Sequence, residues 1–137
     1  MLKKGQNLIK TQKQRLSKMP KPMKQKDDYS CGPVAIYNAL AVNGRRPNMK
    51  QLREGCLRPN RTKTGLTTYK RNFLKTLRAS GIDFVKIPPH NISDQGEFFV
   101  FMTVIHENIV SGHYVYVKDG DVFNLDIDMG IRVKLNN

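Results

Sequence analysis

The chain has 137 residues, enough for one compact domain with an appended tail, and 39% of them are hydrophobic, which leaves part of the chain outside a packed core. Its 24 Lys and Arg outnumber 11 Asp and Glu, for a net charge of +13. Two cysteines are too few for a disulfide framework, no apolar run of about 18 residues suggests a membrane span, and the basic N-terminus lacks the apolar stretch of a secretory signal.

Residues 1–26 carry nine basic residues and no acidic one: Lys3, Lys4, Lys10, Lys13, Arg15, Lys18, Lys21, Lys24 and Lys26. The apolar positions among them sustain no helical stripe, so residues 1–24 are expected to be a flexible arm. Such an arm suits a polyanion, either nucleic acid or an acidic protein surface, with a purely solubilising tail as the alternative. The remainder, 27–137, holds 15 basic and 11 acidic residues and reads as a nearly ordinary domain.

From Asp27 the pattern sharpens. Ser30 is placed to cap a helix from Cys31 to about Val42, with Pro33 tolerated in its first turn and Asn43-Gly44 ending it. A second helix follows Pro47-Asn48, with Met49, Leu52 and Cys56 on one face. A third is expected over 66–79, with Leu66, Tyr69, Phe73, Leu74 and Leu77 inward, stopping near Gly81.

Beyond that point the period changes to two. Strands are expected at 82–87, 97–105, 113–118 and 122–127, with a last short one at 131–135 after Gly130. Asp119-Gly120 predicts a two-residue hairpin turn. Helices followed by an antiparallel sheet make an α+β domain over 25–137.

Cys31 at the head of a helix is placed for nucleophilic chemistry. The orphan N–H groups and the dipole there favour a thiolate and would lower its pKa. Cys56 is explained by its helical spacing as a buried apolar residue. A catalytic thiol needs a base. His90 follows Pro88-Pro89 with no acidic neighbour, and His106 falls at a solvated turn beside Glu107 and Asn108. His113 opens a strand after Ser111-Gly112 and is the candidate base.

The hairpin turn sets the register: Lys118 opposite Asp121, Val117 opposite Val122, Val115 opposite Asn124 and His113 opposite Asp126. Opposed residues share a face, so Asp126 would orient the imidazole. Asn124 lies on that face too, diagonal to His113, as the alternative orienting residue.

The run Gln25-Lys26-Asp27-Asp28-Tyr29-Ser30-Cys31-Gly32-Pro33 resembles the active-site segment of the papain-like leader-peptidase family of bacteriocin-processing transporters. The likeness continues in Thr64-Gly65-Leu66, in 74–81 and in Gly112-His113-Tyr114-Val115-Tyr116-Val117. It implies a papain-like cysteine peptidase fold in which Cys31 attacks a carbonyl, His113 takes its proton, Gln25 donates to the oxyanion and Asp126 orients His113. Ile127 stands where the family usually has Pro, and cleavage of double-glycine leaders is not part of the expectation.

The expected activity is thiol acyl transfer, with hydrolysis of a peptide or isopeptide foremost and another amide or thioester as the alternative. A second reading is a non-catalytic structural or nucleic-acid-binding protein on the same scaffold, such as a phage or virus component. No metal or cofactor is expected, since three scattered histidines and two cysteines make no ligand set. Placement in the cytoplasm or in a viral particle is expected.

Overall fold

The computed structural model describes residues 20–124. Its first helix, α1 (Cys31–Val42), begins where the sequence places it and is buried on nearly every side. Ala35, Ile36 and Asn38 are fully enclosed, and Val34, Ala39, Leu40 and Ala41 nearly so. The small residues Gly32, Ala35, Ala39 and Ala41 allow other elements to close around it.

The capping of α1 differs from the sequence reading. Ser30 occupies the cap position but makes no side-chain capping bond. Its hydroxyl turns to the Asp27 carboxylate. Asp27 Oδ1 instead accepts from the main-chain N–H groups of Ser30 (2.8 Å) and Tyr29 (3.2 Å). A carboxylate here fixes the turn that leads into the helix and places negative charge near its positive end.

Helix α2 (Met49–Cys56) is capped by Asn48, whose side chain accepts from the Gln51 N–H, and it buries Leu52 and Cys56 as expected. The third helix, α3, runs from Lys70 to Ala79 and is four residues shorter at its start than the expected 66–79. Residues Leu66–Thr68 form a strand, β2, antiparallel to β1 (Leu57–Pro59). The β-branched pair Thr67-Thr68 fits a pleated ribbon, and the partner strand was not legible in local periodicity. Leu66, expected inward, is therefore exposed, whereas Phe73 and Leu77 are buried on α3 as the periodicity requires. Gly81, at φ +77°, ends that helix.

The expected strand at 82–87 does not form: the segment has no regular structure and Val85 is 83% exposed. Its alternation is genuine, but no described strand pairs with it. A single 3₁₀ turn, Pro89–Asn91, follows. The sheet proper has the order β3 (Glu97–His106), β4 (Ile109–Lys118), β5 (Asp121–Phe123), all antiparallel. Both of its tight turns, Glu107-Asn108 and Asp119-Gly120, have positive φ at each residue, the geometry that matches strand twist. The pairs Val117↔Val122 and Lys118↔Asp121 are those predicted. The ladder stops at Tyr116↔Phe123, and Asn124 turns away with φ +62°. The predicted continuation of that strand through 127, and the strand at 131–135, lie outside the described residues.

The core joins α1, α2 and α3 to one face of β4 through Cys31, Ile36, Leu40, Leu52, Cys56, Phe73, Leu77, Tyr114 and Tyr116. Phe73 stacks on Tyr114 with ring centroids 4.4 Å apart and meets Phe99 edge-on at 5.5 Å, which fixes α3 against the sheet. At the far end of α1, Asn43 Nδ2 donates to Glu97 (2.7 Å), and the Tyr116 hydroxyl donates to the same carboxylate. The Tyr116 bond, the Asn43 bond and nearby Lys118 together hold Glu97 below its ordinary carboxylate range.

Candidate active site

The segment before α1 is not free. Met23 exchanges two hydrogen bonds with the buried amide of Asn38, N–H to Oδ1 at 2.7 Å and Nδ2 to O at 3.1 Å. An enclosed amide with both ends satisfied acts as a substitute strand partner. The described structure thus reaches into residues read as arm, with Lys21, Lys24 and Lys26 exposed along it. The basic residues from Lys3 to Lys18 lie outside the described residues.

Two positions further on, Gln25 is locked to Asn124. The Gln25 N–H donates to Asn124 Oδ1 at 2.8 Å, and Asn124 Nδ2 donates to Gln25 Oε1 at 2.7 Å. Gln25 Nε2 donates one hydrogen to the Asp27 carbonyl (2.7 Å) and, as an amide nitrogen, carries a second. The two ends of the described chain meet here.

Cys31 is 8% exposed at the head of α1. The main-chain N–H groups of Tyr114, Gly32 and Cys31 itself favour the thiolate form of this sulfur. Among the described residues, Tyr114 lies on the part of β4 beyond its pairing with β5. Gly32 is required at that point. A Cβ there would stand 2.4 Å from Thr68 Oγ1 and 2.8 Å from Thr68 Cβ, so only glycine lets the helix head approach β2.

The thiol's titration differs from the sequence expectation. Burial raises the Cys31 pKa above its ordinary value; the three N–H groups oppose that rise without overcoming it, and the Asp27 carboxylate adds to it. The donors at the helix head are present, but the loss of water on burial outweighs them. Cys56, fully enclosed, is raised to about 11 by burial.

His113 directly precedes Tyr114, and it is half-buried. Its Nε2 lies 2.9 Å from the main-chain oxygen of Asn124. A carbonyl only accepts, so this contact requires the proton on Nε2 and leaves Nδ1 as the ring's acceptor. Asn124, predicted to stand diagonally, thereby serves His113 through its backbone and Gln25 through its side chain. Asp126, the predicted orienting residue, lies outside the described residues.

His90 sits on the 3₁₀ turn, exposed, and His106 closes β3. Among the described residues no group of three His, Cys, Asp or Glu is disposed to hold a metal, and no helix is long and apolar enough to cross a membrane. Sequence reasoning missed Asp27, Asn38 and the carbonyl of Asn124. Asp27 three residues before Ser30 is a readable side-chain turn signal; a main-chain carbonyl has none.

Two open clefts lined mainly by residues 45–80 include neither Cys31 nor His113 in their linings. Comparisons with family models, with curated proteins and with solved structures return no match. The class that the fold defines on its own is a small mixed α+β domain.

Proposed function

We propose that the chain is a papain-like cysteine hydrolase, a peptidase, with Cys31 as nucleophile and His113 as general base. The observation that carries this reading is the arrangement of His113. Its Nε2 is committed to the Asn124 carbonyl, leaving Nδ1 as acceptor, and it directly precedes Tyr114, whose main-chain N–H favours the Cys31 thiolate. The motif likeness to papain-like leader peptidases supports the same assignment.

In the reaction, His113 Nδ1 takes the Cys31 thiol proton as sulfur attacks the acyl carbon. The resting thiol is protonated, because burial raises its pKa, so proton transfer accompanies attack. Negative charge developing on the acyl oxygen is met by the Cys31 N–H and the second Nε2 hydrogen of Gln25. The imidazolium returns the proton to the leaving amine. Water, deprotonated by His113, then hydrolyses the thioester and restores the thiol. Asp126 is proposed to complete the orientation of the ring, and the substrate is a peptide or protein chain in the cytoplasm or a viral particle.

The test is acyl transfer from an activated peptide thioester, read by intact mass. A single adduct on Cys31 is expected in the parent and in Cys56→Ala, and none in Cys31→Ala or His113→Ala. Adduct formation undiminished in His113→Ala would overturn the base assignment. Adduct formation undiminished in Cys31→Ala would overturn the hydrolase reading and leave the non-catalytic scaffold.

A further inference from the structure

The near balance of charge over 27–137 conceals a sharp segregation. Residues 45–80, which form α2, the β1–β2 ribbon and α3, hold eleven Lys and Arg and one acidic residue, Glu54. Residues 81–124, the sheet side, hold two Lys and six Asp and Glu. Among the described residues, the elements from 45 to 80 are therefore strongly basic and those from 81 to 124 acidic, independent of anything in residues 1–26.

The basic segment is also concave. One open cleft of about 680 Å³ is lined by Arg58, Arg61, Arg71 and Lys75 around Tyr69 and Asn72. A second, of about 420 Å³, is lined by Arg45 and Arg46 and shares Arg58, Asn72 and Lys75 with the first. The two clefts therefore adjoin across these shared residues. Among the described residues no acidic residue lines either one.

Three of these cations are held by neutral groups. Arg45 Nη2 donates to the Ser80 carbonyl (2.9 Å), Arg58 Nη1 to the carbonyls of Glu54 and Leu57 (2.7 Å each), and the Arg61 guanidinium lies 5.1 Å over the Tyr69 ring. Among the described residues none of the six is paired with a carboxylate; the ion pair in this segment is that of Arg53 with Asp27, off the clefts. Carbonyls and a ring face position Arg45, Arg58 and Arg61 without, among the described residues, a carboxylate to compensate their charge. Five of the six are arginines, whose planar forks match phosphate oxygens.

We propose that this face binds the phosphodiester backbone of a nucleic acid, without base selectivity. A repeating phosphate backbone suits several guanidiniums spread over adjoining clefts, and exposed lysines at positions 63 and 70 add to the basic character of the segment. The inference stands apart from the hydrolase reading and uses none of its residues.

The experiment measures binding of the full chain to a labelled 20-mer, as duplex and as single strand, by fluorescence anisotropy between 50 and 200 mM salt. Arg61→Gln/Arg71→Gln/Lys75→Gln, all exposed, should weaken duplex binding at least tenfold. It should also flatten the log K against log salt slope by about 2–3, at about 0.9 for each phosphate no longer neutralised. Arg45→Gln/Arg46→Gln, in the second cleft, should act in the same direction and serves if the triple variant loses its helical circular dichroism. Unchanged affinity and slope in both variants would assign all binding to residues 1–26 and overturn the proposal. So would preference for polyglutamate over both oligonucleotides at equal charge, which would mark an acidic protein as the ligand.

Discussion

Replacing Asn124 separates the two duties assigned to it. Its side chain makes two amide bonds to Gln25 across a part-buried contact, at 2.8 and 2.7 Å. Each is worth about 1 kcal/mol net, so losing both costs about 2 kcal/mol. Its backbone sits at φ +62°, a conformation that asparagine tolerates and alanine resists by about 1–2 kcal/mol. Asn124→Ala should therefore destabilise by about 3–4 kcal/mol. Asn124→Gly, free of the steric penalty but entropically costlier to order, should lose about 2–3 kcal/mol. Asn124→Asp keeps the acceptor for the Gln25 N–H and should lose least. Urea denaturation gives the order, and ¹⁵N shifts of the His113 ring report the tautomer, expected to carry its proton on Nε2 in the parent. Alanine and glycine variants both within about 0.5 kcal/mol of the parent would refute the pairing, and an Nδ1-protonated ring would refute the base geometry.

Gly32→Ala should cost about 1–3 kcal/mol by overpacking against Thr68; adding Thr68→Gly should restore stability and Thr68→Ala should not, since Thr68 Cβ itself stands 2.8 Å from the new methyl. The buried Cys56 thiol, raised from 9.0 to about 11, is protonated in both states below pH 9. Between pH 9 and about 11 only the unfolded chain loses that proton, so stability should fall across that window by roughly 2–3 kcal/mol, and the fall should be shallower in Cys56→Ala. Asp27 has the opposite sign. Burial pushes its carboxyl up, but bonds from Ser30, Tyr29 and Arg53 more than offset this and hold it below 3.8. Its contribution is present above that value and lost as pH falls through the folded one, so Asp27→Asn should blunt acid unfolding. The same substitution removes a negative charge acting on Cys31 and should speed its alkylation at neutral pH by about two- to fivefold.

The parts of the fold legible in sequence were those specified locally. Helix α1 announces itself by a Ser before it and Asn-Gly after it, and the β4–β5 register by Asp119-Gly120. Residues 66–69 deceived because Leu66, Tyr69, Phe73 and Leu77 also fit a helical stripe; pairing with Leu57–Pro59 decided otherwise, and that contact is long-range. The stretch 82–87 alternates like a strand and lacks a described partner. At the site, Cys31 and His113 could be named because their residue types are rare and chemically pointed. The Asn124 carbonyl could not, since every residue has one. The direction of the Cys31 titration needed burial, which only packing reveals. The basic face escaped because charges were summed over 27–137 without asking which elements carry them.

The long hairpin has a consequence for the protein in bulk. Strand β3 runs from Phe98 to Ile105 without a charged side chain, with Phe101 60% and Ile105 70% exposed, and among the described residues it pairs on one edge alone. A strand of this kind invites a second copy to add alongside it, and mutual repulsion between molecules of charge +13 is what opposes that encounter. The reach of such repulsion shrinks to about 8 Å at physiological ionic strength. Added salt should therefore drive the protein toward self-association, and dilute, low-salt buffer should keep it dispersed.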